Sequence, residues 1–246
     1  MVSLGAGHGK AMRHCYPDAM RMLLTSNGLS ERVVLDALRD LVDRPLSEVR
    51  IVVVIDGILG FPGDSSTLVE HLESLRSIGW AEFDVASLFA GPRELVESRL
   101  RSADVILGYG GSNTWLAHAW TKTGLAPALR ELIEQKVYVG WSAGSMIFTR
   151  ALPSWGQIFD DQSELDMFGL AAVDPAVPLF DWIFLGHLGA DWMSPGAEAR
   201  AARAAARSGA TVWFIDDASA LVIRDPAEDP VVVSAGTWMR IEPDGV

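Results

Sequence analysis

Short stretches of this chain are apolar without interruption, among them Ile51–Ile55, Val105–Leu107 and Val137–Val139. A strand with one wet face alternates apolar and polar residues. A continuous run marks a strand covered on both faces, the situation of the central strands of a parallel sheet. The mixed segments 21–25 and 82–85 read as further strands. Between them lie segments with helical spacing: one that Ser30 would cap, carrying Val33, Val34, Leu38 and Leu41; one over 66–77; one over 92–101 with Pro92 at its first turn; and one over 125–134. This alternation predicts an α/β fold, a doubly wound and mostly parallel sheet with helices on both faces. In such sheets functional groups collect at the carboxyl ends of the strands.

Beyond residue 150 the rhythm loosens. Residues 152–169 read as a long loop, and 182–185 as a strand ending in Gly186-His187. An Ala/Arg helix follows over 197–207, and strands at 211–215, 220–223 and 231–233 are expected to close the sheet. Residues 1–19 lack an apolar core segment, so they read as a flexible extension and not a secretory signal. One α/β domain over 20–246 is expected after it. A net charge of −12 leaves no basic surface to neutralise phosphates, which argues against nucleic-acid or anionic-membrane partners. The single cysteine, Cys15, excludes an internal disulfide and fits a cytoplasmic setting. No run of 18 apolar residues is present to span a bilayer.

The chemistry is concentrated at Gly140-Trp141-Ser142-Ala143-Gly144, which follows one of the buried strands and precedes a helix-like segment. Gly-x-Ser-x-Gly at a strand-to-helix turn is a nucleophile elbow, with glycines where neighbouring backbone comes close. A serine nucleophile needs a base, and imidazole suits neutral pH. Of five histidines only His187 follows Ser142, at the expected carboxyl end of a strand. Elbow hydrolases of the α/β type place the acid between serine and histidine, which directs attention to Asp160, Asp161, Glu164 and Asp166, with Asp174 and Asp181 close to the strands. An acidic run of this kind also occurs as a plain solvated face. The oxyanion would be held by the N–H of Ala143 and by a glycine of the segment Gly110-Gly111-Ser112-Asn113-Thr114. No metal-ligand spacing of His, Cys and acids stands out.

Gly110–Thr114 and Val137–Ser145 together resemble the dipeptidase E and cyanophycinase family of serine peptidases. Three further segments extend the resemblance over about residues 20–240: Met22–Leu29, Gly169 to His187, and Asp216–Val222. The resemblance implies a sheet like that of the class I glutamine amidotransferases, with Ser142 as nucleophile and His187 as base. It further implies Asp161 as acid (Asp160 and then Glu164 as alternatives), Gly111 and Ala143 as oxyanion donors, and Asn113 and Thr114 at the substrate pocket. Arg200 would meet the carboxylate of an N-terminal aspartate in a dipeptide. Other aspartyl or isopeptide bonds, as for cyanophycinase, and a non-catalytic binding homologue are the rival expectations. The expected partner is a small peptide substrate; no cofactor or metal is expected, and a homodimer is allowed for. The chain departs from the family pattern at Ser112, often a third glycine, and at Gly186 and Leu188, often proline and an aromatic on either side of the histidine.

Overall fold

A computed structural model describes residues 20–152, 162–193 and 195–243. The expected extension over 1–19 lies outside these residues, as do Asp160 and Asp161. Seven strands form the main sheet in the order β3-β2-β4-β5-β1-β8-β9: β1 Arg21–Thr25, β2 Arg50–Val54, β3 Glu82–Ala86, β4 Val105–Gly108, β5 Val137–Trp141, β8 Ser219–Ile223 and β9 Val231–Ser234. The first five are mutually parallel, and β8 runs antiparallel to β1. A second sheet, ordered β10-β7-β6, contains β6 Ile183–Leu185, β7 Val212–Ile215 and β10 Trp238–Ile241. The strands near 182–185 and 211–215 therefore form a sheet of their own; they do not close the main one.

The uninterrupted runs are covered on both faces, as their composition requires. In β2, Val52 and Val54 enter one core while Ile51 and Val53 enter the other; in β5, Tyr138 faces the first, and Val137, Val139 and Trp141 the second. Helices α1 (Arg32–Val42) and α3 (Ser66–Ser77) cover the second face. The opposite face packs against α4 (Arg93–Ser102), α5 (Asn113–Lys122), α6 (Ala126–Gln135) and the small sheet. Helix α5 falls where the sequence reading stopped at a glycine loop. Ser112 caps it, its Oγ accepting the Trp115 N–H at 3.0 Å. A single helical turn, α2, spans Asp56–Leu59 after β2, and another, α7, spans Ala143–Met146 after the elbow. The supposed loop 152–169 contains helix α8, Gln162–Phe168, and α9 spans Ala197–Ser208. No helix among the described residues is long and apolar enough to cross a membrane.

Candidate active site

Ser142 immediately follows β5, with φ 50° and ψ −111°. A non-glycine residue held there costs about 1–3 kcal/mol and persists only where its surroundings impose it. They do so through backbone. The Ser142 N–H donates to the Thr25 carbonyl at 2.9 Å, and Ser145 Oγ donates to the same oxygen at 2.9 Å. Thr25 Oγ1 in turn donates to the Gly140 carbonyl at 2.7 Å. The flanking glycines are demanded by contact: a Cβ on Gly140 would lie 2.6 Å from Ser145 Cα, and one on Gly144 1.9 Å from the Gly108 carbonyl oxygen. Helix α7 is one turn long, and within it the Ser145 N–H donates back to the Ser142 carbonyl at 2.8 Å.

His187 lies two residues beyond β6, and its ring reaches the elbow from the small sheet. His187 Nε2 is 3.0 Å from Ser142 Oγ. On the other side of the ring, Nδ1 is 2.7 Å from Asp217 Oδ1. The hydrogen bond from His187, working against partial burial and joined by one from Ser26, holds the Asp217 carboxyl below the usual carboxylate range. An ionised carboxylate only accepts, so Nδ1 carries the ring proton and donates to Asp217, leaving the Nε2 lone pair for the Ser142 hydroxyl.

The acid on the imidazole is thus Asp217, not a residue of the acidic run. Of the carboxylates named from the sequence, Asp160 and Asp161 lie outside the described residues. Glu164 is engaged elsewhere, accepting from Ser112 Oγ at 2.5 Å. The correction is one of topology: β6 and β7 are parallel neighbours, pairing Leu185 with Phe214, so they deliver His187 and Asp217 to the same edge. The chain order is serine, histidine, acid. A signal for it was present, since Asp216-Asp217 follows the four-residue apolar strand Val212–Ile215 and therefore occupies a strand's carboxyl end. The two aspartates divide the work. Asp216 accepts from Ser219 Oγ at 2.6 Å and from the Thr237 N–H at 2.5 Å, tying down its own turn.

The glycine turn after β4 borders the nucleophile. A Cβ on Gly110 would lie 3.4 Å from Ser142 Cβ, while Gly111, with φ 113°, is pressed so closely against Gly57 that a Cβ would meet its carbonyl carbon at 2.4 Å. The Ser112 N–H donates to the Gly57 carbonyl at 3.0 Å and fixes the turn. Behind Gly57, Asp56 is buried; burial raises its carboxyl pKa, opposed by donation from the Leu88 N–H and Ser87 Oγ. Asn113 and Thr114 are buried in the first turn of α5, and Asn113 Nδ2 has no hydrogen-bond partner among the described residues. Arg200 lies on α9 and donates from Nη1 to the Pro195 carbonyl at 2.8 Å. Trp192, 70% exposed, stands edge-on to the His187 ring with centroids 4.8 Å apart. No three His, Cys, Asp or Glu side chains among the described residues are grouped as metal ligands would be.

A hydroxyl on a strained elbow, facing an imidazole whose far nitrogen is held by a carboxylate, has the parts needed for acyl transfer. The class that fold and geometry define is a serine hydrolase on a doubly wound sheet. The family model for peptidase family S51 matches residues 22–229, and the chain belongs to that family. It is a peptidase of this kind and a serine hydrolase. Among solved structures, it is similar to a candidate peptidase E protein from Listeria monocytogenes EGD-e, with TM-score 0.69 and 18% identity, covering 89% of this chain and 100% of that one. A peptidase from an acI-B1 Actinobacterium has TM-score 0.63 and 16% identity, covering 92% of each chain. At such identities the two share the fold with this chain. No curated protein matches the chain by sequence.

Proposed function

We propose that this peptidase cleaves dipeptides with an N-terminal aspartate through an acyl-enzyme on Ser142. The observation that carries the proposal is the run of contacts from Ser142 Oγ to His187 Nε2 at 3.0 Å and from His187 Nδ1 to Asp217 at 2.7 Å. These residues form the catalytic triad of the proposed reaction. His187 Nε2 takes the hydroxyl proton as Oγ attacks the scissile carbonyl carbon. The resulting oxyanion receives the N–H groups of Ala143, next in the chain, and of Gly111, in the turn whose Gly110 lies against Ser142. Asp217 stabilises the imidazolium, which returns its proton to the leaving amine as the C–N bond breaks. Water then adds to the acyl-enzyme with His187 as base, and Ser142 departs with the proton back on its oxygen.

The aspartate preference rests on the resemblance over the GGSNT and GWSAG segments and on Arg200, which α9 carries in the part of the chain after His187. On this reading the reaction needs no cofactor, and the enzyme works in the cytoplasm. The test is release of a chromophore from an aspartyl amide by purified protein. Ser142→Ala is expected to lower kcat by more than about 10⁴-fold; an unchanged rate in that variant overturns the mechanism. A panel of N-terminal residues and β-aspartyl-arginine peptides checks the substrate, and preference for the latter replaces the dipeptidase reading with a cyanophycinase-like one.

A further inference from the structure

Ser26 follows β1 directly, and β1 is the parallel neighbour of β5, with Thr25 paired to Trp141. The register therefore sets Ser26 beside Ser142. Its side chain is fully buried. It reaches into the other half of the site. Ser26 Oγ donates its one hydrogen to Asp217 Oδ1 at 2.6 Å. It accepts the backbone N–H of His187 at 2.7 Å and lies 3.3 Å from His187 Nδ1. One hydroxyl thus touches the carboxylate, the backbone and the ring of the acid–base pair.

The pair needs such a tie. His187 has φ 65°, a left-handed conformation that a side chain with a Cβ disfavours. It lies two residues beyond a three-residue strand, between Gly186 and Leu188, so no strand pairing of its own fixes the ring's direction. Gly186 is what lets the hydroxyl approach, since a Cβ there would stand 2.9 Å from Ser26 Oγ. Asp217 reaches Nδ1 through one oxygen, and a carboxylate can rotate about its side-chain bonds. The Ser26 hydrogen on that same Oδ1 fixes the rotation.

We infer that Ser26 is a positioning residue for the acyl transfer, locking the His187 backbone and the Asp217 carboxylate to the strand beside the nucleophile. The inference rests on the proposed role of Ser142. Ser26 touches no reacting atom. It acts through His187 and Asp217, so its removal matters only while they are working.

The experiment measures the rate at which a fluorophosphonate labels Ser142, a readout independent of substrate preference. It compares the unmodified protein, Ser26→Ala, Asp217→Ala and the double variant, alongside the far-downfield proton resonance of the His187 Nδ1–H. Ser26→Ala is expected to slow labelling by about tenfold or more and to move the resonance, because Oδ1 loses a competing donor. The double variant is expected within about twofold of Asp217→Ala, since the two side chains act as one unit. Ser26→Cys keeps the shape with a weaker donor; it is expected to label at an intermediate rate and carries the test if the alanine variant does not fold. Labelling of the serine variants within about twofold of the unmodified protein, an unmoved resonance, or losses that multiply in the double variant overturn the inference. Failure of the unmodified protein to label at Ser142 instead removes the acyl-transfer reading and this inference with it.

Discussion

The two halves of the site are held by different forces. The nucleophile half belongs to the main sheet, and its geometry is a matter of backbone: Ser142 is bonded through its N–H to β1, and Gly108, Gly140 and Gly144 pack at distances no side chain could share. The acid–base half belongs to the small sheet. There the geometry is a matter of hydrogen bonds to side chains, from His187 Nδ1 and Ser26 Oγ to Asp217 and from the His187 N–H to Ser26 Oγ. The contrast teaches that the first half should fail by losing the fold, and the second by losing chemistry while the fold survives.

The largest expected effect lies in the first half. Gly144→Ala places a methyl group 1.9 Å from the Gly108 carbonyl oxygen, a backbone atom in a central strand that cannot turn aside. Helix propensity alone favours alanine over glycine by about 1 kcal/mol. The overlap outweighs it, and a loss of about 3 kcal/mol or more is expected in denaturant unfolding. A variant as stable as the parent would mean that the elbow is not set by backbone contact.

The complementary change is Asp217→Asn. It preserves shape, but the amide can present an N–H to Nδ1, favouring the wrong ring tautomer. The expected cost is about 10³–10⁴-fold in kcat, with the unfolding midpoint little changed. Glu164→Gln, in a residue that meets Ser112 and not His187, is expected to cost less than about tenfold. Equal losses in the two variants would erase the distinction between the acid on the imidazole and an acid that ties down a neighbouring turn.

The same division explains what could be read from the sequence. The parallel strands and the elbow are local patterns: uninterrupted apolar runs and a five-residue motif whose glycines report contacts close at hand. Ser142 and His187 stand out on type and order. Asp217 was hidden because its place depends on β6 and β7 pairing in a second sheet, a fact no short window contains. The rule that an acid precedes the histidine pointed instead to the run from Asp160 to Asp166. Helix α5 was obscured by its start, since Gly110-Gly111-Ser112-Asn113 reads as loop. Only the Ser112 hydroxyl on the Trp115 N–H shows where the helix is capped. Ser26 left no signal at all: a serine after a strand is common, and its partners lie more than 150 residues away.

The smallest expected effect separates stability from chemistry at the far edge of the same strands. Asp104 lies at the amino end of β4, opposite Gly108. Burial raises its carboxyl pKa, but the Arg50 side chain and N–H, with Arg44 at 2.8 Å, lower it further, to about 2. The folded value lies below the unfolded one, so the ionised carboxylate stabilises the fold above about pH 4, and that contribution disappears as pH falls toward 2. With partly exposed arginine partners, about 1–2 kcal/mol is expected. The stability gap between the parent and Asp104→Asn should stay level from pH 7 to 5 and close between pH 4 and 2, while Ser142 labelling at neutral pH is unaffected. A gap that persists at pH 2 would show that the aspartate contributes by shape and not by charge. A change in labelling would show that strain at the amino ends of β2, β4 and β5 reaches the elbow, which the backbone contacts at Gly140 and Gly144 are expected to prevent.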